Sequence, residues 1–87
     1  MKKITVTIID PAGMHTRPAS IISKKATEYT ADINIEYNNK KMNMKSIIGV
    51  MSLGITTQSQ INISFDGIDE EIAYEAILNC LKENNLI

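Results

Sequence analysis

Lys3 to Tyr29 reads KITVTIIDPAGMHTRPASIISKKATEY, and its apolar period changes partway along. Up to Ile8 the period is two. Ile4, Val6 and Ile8 fall on one face and Thr5 and Thr7 on the other, as in a strand. After Pro18, Ala19, Ile22, Ala26 and Tyr29 recur at spacings of three and four, which lines them along one face of a helix. Asp10-Pro11-Ala12-Gly13 stands between the two runs with two strong breakers. Pro18 suits the first turn of a helix, where its missing N–H costs nothing. The change from strand to helix therefore falls at or just after His15.

The rest of the chain continues the alternation of elements. Ile33, Ile35 and Tyr37 make a second strand, and Asn38-Asn39 supplies a tight turn because asparagine tolerates positive φ. Lys40 to Met44 is the returning strand. Ser46 to Leu53, closed by Gly54, reads as a short helix. Ile61, Ile63 and Phe65 mark the last strand, ended by Asp66-Gly67. Asp69 stands where it would cap a final helix, with Glu70 and Glu71 at its positive end. Ile72, Ala73, Ala76, Ile77, Cys80 and Leu81 form the stripe expected to be buried. The order is β-α-β-β-α-β-α with one layer of helices, so the fold class is α/β (α+β), a two-layer sandwich. The strands alternate polar and apolar residues, which leaves one sheet face to water and favours an antiparallel sheet. The length, 87 residues, suits a single domain spanning 1–87, with a modest core and little room for a separate substrate pocket.

Composition excludes several functions. A net charge of −1 argues against nucleic acid or an anionic membrane as the main partner, and 5% aromatic residues leave no base-stacking platform. Cys80 is alone, so neither an internal disulfide nor a multi-cysteine metal site is expected, and its place in a helical stripe reads as a buried thiol. No run approaches membrane-spanning length and the N-terminus lacks the apolar core of a signal peptide, so a cytoplasmic location is expected.

The chain holds one histidine, His15, and one arginine, Arg17; every other basic residue is lysine. A lone histidine is usually incidental. Here Gly13 permits a tight turn before it and Pro18 fixes a helix start behind it. The free N–H groups of a helix start favour anions, and guanidinium matches phosphate oxygens in bidentate fashion, which lysine cannot do. With neither a carboxylate base nor a Gly-rich nucleotide loop or metal-ligand cluster in the motif, a nucleophile beside a phosphate clamp suits a phosphoryl acceptor rather than a self-contained enzyme. No metal and no cofactor is expected.

Gly13-Met14-His15-Thr16-Arg17-Pro18-Ala19 resembles the active-site signature of HPr, the histidine-containing phosphocarrier family of the bacterial phosphoenolpyruvate-dependent sugar phosphotransferase system. Met44-Lys45-Ser46-Ile47-Ile48-Gly49-Val50-Met51-Ser52-Leu53-Gly54 resembles the serine-site signature of the same family, at the family's usual separation. The resemblance implies an open-faced sandwich with an antiparallel four-stranded sheet in the order 1-4-2-3 and the helices on one face. It implies that His15 accepts a phosphoryl group at Nδ1 from phospho-enzyme I and donates it to the A domains of sugar-specific enzyme II transporters, with Arg17 steadying the group. Regulatory relatives without the histidine are set aside, because His15 is present. The alternatives are a phosphocarrier of a regulatory or nitrogen-related branch, or a small non-catalytic interaction domain.

Ser46 reads first as an N-cap. The resemblance adds regulatory phosphorylation there, hence a serine kinase/phosphorylase and transcriptional regulators as further partners. Ile47, Ile48 and Met51 resemble the family's docking patch, and exposed apolar residues beside a reactive group mark a partner surface. Thr16, Ser20, Lys24 and Thr27, on the outer side of the first helix, match its interface positions. A monomer is expected. Two departures concern glycines: Gln58 and Asn85 stand near positions where members often carry one, and Asn85 is expected to take the same left-handed C-cap role.

Overall fold

Ile4 stands opposite Ile63, Ile63 opposite Ile35, and Ile35 opposite Met42, one apolar row crossing four strands. A computed structural model describes residues 1–87. Its elements are β1 (Lys2–Thr7), α1 (Thr16–Ala26), β2 (Asp32–Tyr37), β3 (Lys40–Asn43), α2 (Ile47–Ser52), β4 (Gln60–Asp66) and α3 (Glu70–Glu83). The sheet is antiparallel throughout, in the order β1-β4-β2-β3. The next row is polar, Thr5–Asn62–Glu36–Lys41, and faces water; the Thr5 hydroxyl donates to Asn62 Oδ1 at 2.6 Å. Alternation thus sorts the strands into a wet face and a face covered by helices. Ile33, Ile35, Ile61, Ile63 and Phe65 pack there with Ala19, Ile22 and Ala26 of α1, Val50 of α2, and Ala73, Ile77 and Leu81 of α3.

The turns follow from local chemistry. Asn38 and Asn39 both have positive φ, 56° and 66°, as a two-residue hairpin turn of this kind requires. Helix α3 ends in a Schellman motif. Asn85 is left-handed at φ 57°, its N–H donates to Lys82 O, and the N–H of Leu86 reaches back to Leu81 O at 2.9 Å. The asparagine fills the glycine role expected of it, and buried Leu86 closes the motif over the core.

Several expectations shift. Tyr29 lies beyond the end of α1, although it remains half-buried against the core. Ile72 is 65% exposed, because it stands half a turn around α3 from Leu81, and the helix turns its Ala73–Ile77–Leu81 side inward. Ala76 is only half-buried. Asp69 sits at the N-cap of α3 but makes no side-chain cap. Its carboxylate accepts instead from the N–H of Thr30 at 2.9 Å and of Ala31 at 2.8 Å, while Glu70 reaches back to the N–H of Gly67. These bonds hold the Asp69 carboxyl below its ordinary range, the Thr30 N–H first and Ala31 with it, against desolvation; the Gly67 N–H does the same for Glu70.

Candidate functional site

Gly13 sets the loop. Its φ is 69°, and a Cβ there would lie 2.5 Å from the carbonyl oxygen of Ile55, so only glycine fits. Met14 then donates its N–H to that same carbonyl at 3.0 Å and buries its side chain. The loop before α1 is thus tied to the segment leaving α2. The Asp10 carboxylate accepts from the Ala12 N–H at 2.9 Å, and the Asp10 carbonyl accepts from the Gly13 N–H at 2.9 Å, closing the turn across Pro11.

This turn presents His15 as the N-cap of α1, with extended backbone. Its carbonyl accepts from Ala19 N–H at 3.1 Å, but its side chain makes no capping bond. The imidazole is 43% exposed, with Nε2 3.7 Å from Asp10 Oδ2. That is an ion-pair distance, too long for a hydrogen bond. The motif alone showed no carboxylate near the imidazole; the fold supplies one from the preceding turn. Thr16 and Arg17 have backbone N–H groups with no acceptor in the protein, and Pro18 has none to offer. The helix start therefore presents two free donors beside the ring.

Arg17 is exposed and forms no ion pair with any carboxylate. It shares a shallow cavity of about 380 Å³ with Asp10, His15, Pro18, Ile21, Glu83, Asn84 and Asn85. The structure so brings the one imidazole and the one guanidinium to the same opening. The end of α3 joins them there, which no local spacing indicates. The arrangement offers a nucleophilic nitrogen, a free bidentate cation and two backbone donors around a space open to an approaching partner.

Ser46 lies away from that cavity, at the N-cap of α2. Its Oγ accepts from Gly49 N–H at 3.0 Å, and the residue is exposed. The neighbouring Lys45 is held elsewhere, its Nζ donating to Tyr29 O at 2.8 Å. Val50 alone of α2 enters the core. Ile47, Ile48 and Met51 stay at the surface, Ile48 at 82% exposure. Thr16, Ser20 and Lys24 are exposed on α1, and Thr27 at its C-cap; α1 packs beside α2. Thr27 also donates to Lys24 O at 2.6 Å, finishing the helix. The Cys80 thiol is pushed up by burial, which leaves it a packing residue rather than a nucleophile.

The family model described as the PTS HPr component phosphorylation site matches residues 2–83. The histidine-containing phosphocarrier protein of a Mycoplasma superposes with a TM-score of 0.97 at 38% identity, covering 99% of this chain and 98% of that one. The phosphocarrier protein HPr of Bacillus anthracis is 39% identical over 91% of this chain and 94% of its own, with a TM-score of 0.84. The Bacillus subtilis catabolite repression protein Crh, described as a dimer with a swapping domain, matches over the full length of both chains at 32% identity, with a TM-score of 0.75. The match over residues 2–83 spans both the His15 loop and the Ser46 helix, and the chain belongs to the HPr family of phosphocarriers of the phosphotransferase system.

Proposed function

We propose that this chain carries phosphoryl groups on His15, accepting them from phospho-enzyme I and passing them to the A domains of sugar-specific transporters. The observation that carries this reading is the lone imidazole at the start of α1, uncapped, sharing one cavity with an unpaired Arg17. Attack by the ring nitrogen forms a P–N bond as the donor's bond to phosphorus breaks, its electron pair returning to the donor. The phosphoryl oxygens then face the N–H groups of Thr16 and Arg17 and the Arg17 guanidinium, which compensate their charge. The reaction needs positioning and charge stabilisation above all, so a small chain without a deep pocket suffices once a partner completes the site.

Ile47, Ile48 and Met51, with Thr16, Ser20, Lys24 and Thr27, are the surface on which those partners would dock. Methionine adapts to several partners in turn, and Lys24 suits acidic ones. Incubation with enzyme I and labelled phosphoenolpyruvate tests the central step. His15 should carry an acid-labile label, and His15→Ala should fold normally yet accept none. Labelling of that variant at the wild-type level would remove His15 from the reaction.

A regulatory role is the second reading, and the likeness to Crh favours it. Here Ser46 is the modified residue. Its exposed hydroxyl, at the head of the docking helix, is within reach of a kinase.

A further inference from the structure

Asp10 has a role left unassigned by the reading of His15 as phosphoryl acceptor, on which the following rests. Three charged side chains line the cavity around the ring: Asp10, Arg17 and Glu83. Of these only Asp10 reaches ion-pair distance of a ring nitrogen, and it faces Nε2, not Nδ1. Its other oxygen is already engaged. Oδ1 takes the Ala12 N–H at 2.9 Å, and the Asp10 carbonyl takes the Gly13 N–H, so the side chain is fixed by its own turn. Oδ2 is left without a donor of its own, 3.7 Å from Nε2. Contacts of this kind often stay long in a free protein and tighten when the partner docks.

A neutral imidazole carries its proton on one nitrogen and its lone pair on the other, and the partner of one nitrogen sets the state of the other. A carboxylate oxygen accepts only, so facing Nε2 it selects the Nε2–H tautomer and leaves the lone pair on Nδ1. We propose that Asp10 is a positioning residue that holds the His15 ring as the Nε2–H tautomer and retains that proton beside its carboxylate while Nδ1 carries the phosphoryl group. The step then balances without proton transfer. The Nδ1 lone pair forms the new P–N bond, the donor's electron pair leaves with the donor, and the ring becomes an N-phosphoimidazolium whose positive charge lies next to Oδ2. On transfer to the acceptor the P–N bond breaks and its pair returns to Nδ1. The leaving group is a neutral imidazole, because Nε2 kept its proton. Were that proton lost, the leaving group would be an imidazolate anion, a far poorer one.

Asp10→Asn gives the sharpest test. The amide oxygen can keep the bond to Ala12 N–H, and the amide N–H₂ then takes the place of Oδ2. A donor would face Nε2 where an acceptor stood, so the tautomer preference should invert. Asp10→Ser keeps a turn acceptor for Ala12 and leaves Nε2 without a partner. Nitrogen-15 NMR of the neutral ring reads the tautomer directly. Wild type should be mainly Nε2–H, Asp10→Asn mainly Nδ1–H, and Asp10→Ser mixed. Phosphoryl transfer from enzyme I should fall roughly tenfold in kcat for Asp10→Asn, with KM little changed. A tautomer population identical in wild type and Asp10→Asn overturns the proposal, whatever the rate does, since a slower rate alone reports only a disturbed loop. Labelling of His15→Ala on the same samples separates the two claims. Should that variant be labelled, the acceptor assignment itself fails, whereas an unlabelled His15→Ala with unchanged tautomers removes Asp10 alone.

Discussion

Arg17 is the one guanidinium of the chain, and no carboxylate of the fold restrains it. An arginine kept free at a polar opening is available for a phosphoryl group without first breaking an internal pair. Arg17→Lys keeps the charge but loses the planar fork. If one transition-state hydrogen bond of about 2 kcal/mol goes with it, transfer slows about thirtyfold. Stopped-flow transfer rates in both directions check this, and unchanged rates would take Arg17 out of the mechanism. Gln58 makes a different residue-scale case. It holds φ at 64°, a left-handed conformation costly for a side chain with a Cβ, while its N–H donates to Ile8 O at 2.6 Å. The backbone is fixed by the sheet rim, so the residue bears the strain. Gln58→Gly should raise stability by about 1 kcal/mol and leave transfer unchanged. A melting temperature below wild type would show that the side chain supplies more than the conformation costs.

Between elements, one contact was invisible to local pattern. Asp69 was expected to cap its own helix; it binds Thr30 and Ala31, distant in sequence, and so joins the start of α3 to the turn entering β2. Those N–H bonds, Thr30 first, lower its carboxyl from the ordinary 3.8. A carboxyl lowered in the folded state stabilises above its unfolded value, and the contribution is lost as pH falls through the folded one. Asp69→Asn should therefore be less stable than wild type at neutral pH, and the gap should close in acid below the ordinary carboxylate range. Urea unfolding at both pH values reads this, and a constant gap would assign the loss to packing instead. Strands and helices were legible because burial repeats with the period of the element, and the Asn38-Asn39 and Asn85 turns because asparagine tolerates positive φ. Ile72 was not, since Ile72 and Ala73 are both apolar and packing against the sheet chooses between adjacent faces. Asp10 near His15, and Asn84 and Asn85 beside Arg17, were hidden for a related reason: no period records where a turn aims a carboxylate or where a distant helix ends.

Over the whole molecule, the sheet keeps one face wet and commits the other to the helices, whose outer side and end loops carry the proposed docking surface. The Met14 N–H is bonded to Ile55 O, just past α2, so the loop bearing His15 is tied to the end of the helix bearing the proposed docking residues. The proposed modification of Ser46 is expected to act on docking rather than on folding. Its Oγ contributes one capping bond to Gly49, worth about 1 kcal/mol, and an aspartate can accept that same bond. A phosphate would add about two negative charges beside Ile47 and Ile48, and the lysine next in sequence is already committed to Tyr29 O. An enzyme that buries those isoleucines within an acidic rim must repel or desolvate that charge. Ser46→Asp should weaken enzyme I binding and slow phosphorylation of His15, with thermal stability similar or slightly raised. Ser46→Ala should do the reverse, losing about 1 kcal/mol of stability while binding and transfer stay near wild type. Affinity, transfer rate and melting temperature measured on the same three proteins decide it. Equal affinity and rate for Ser46→Asp would refute control through docking, and a large loss of stability in that variant would make Ser46 a cap that no carboxylate replaces.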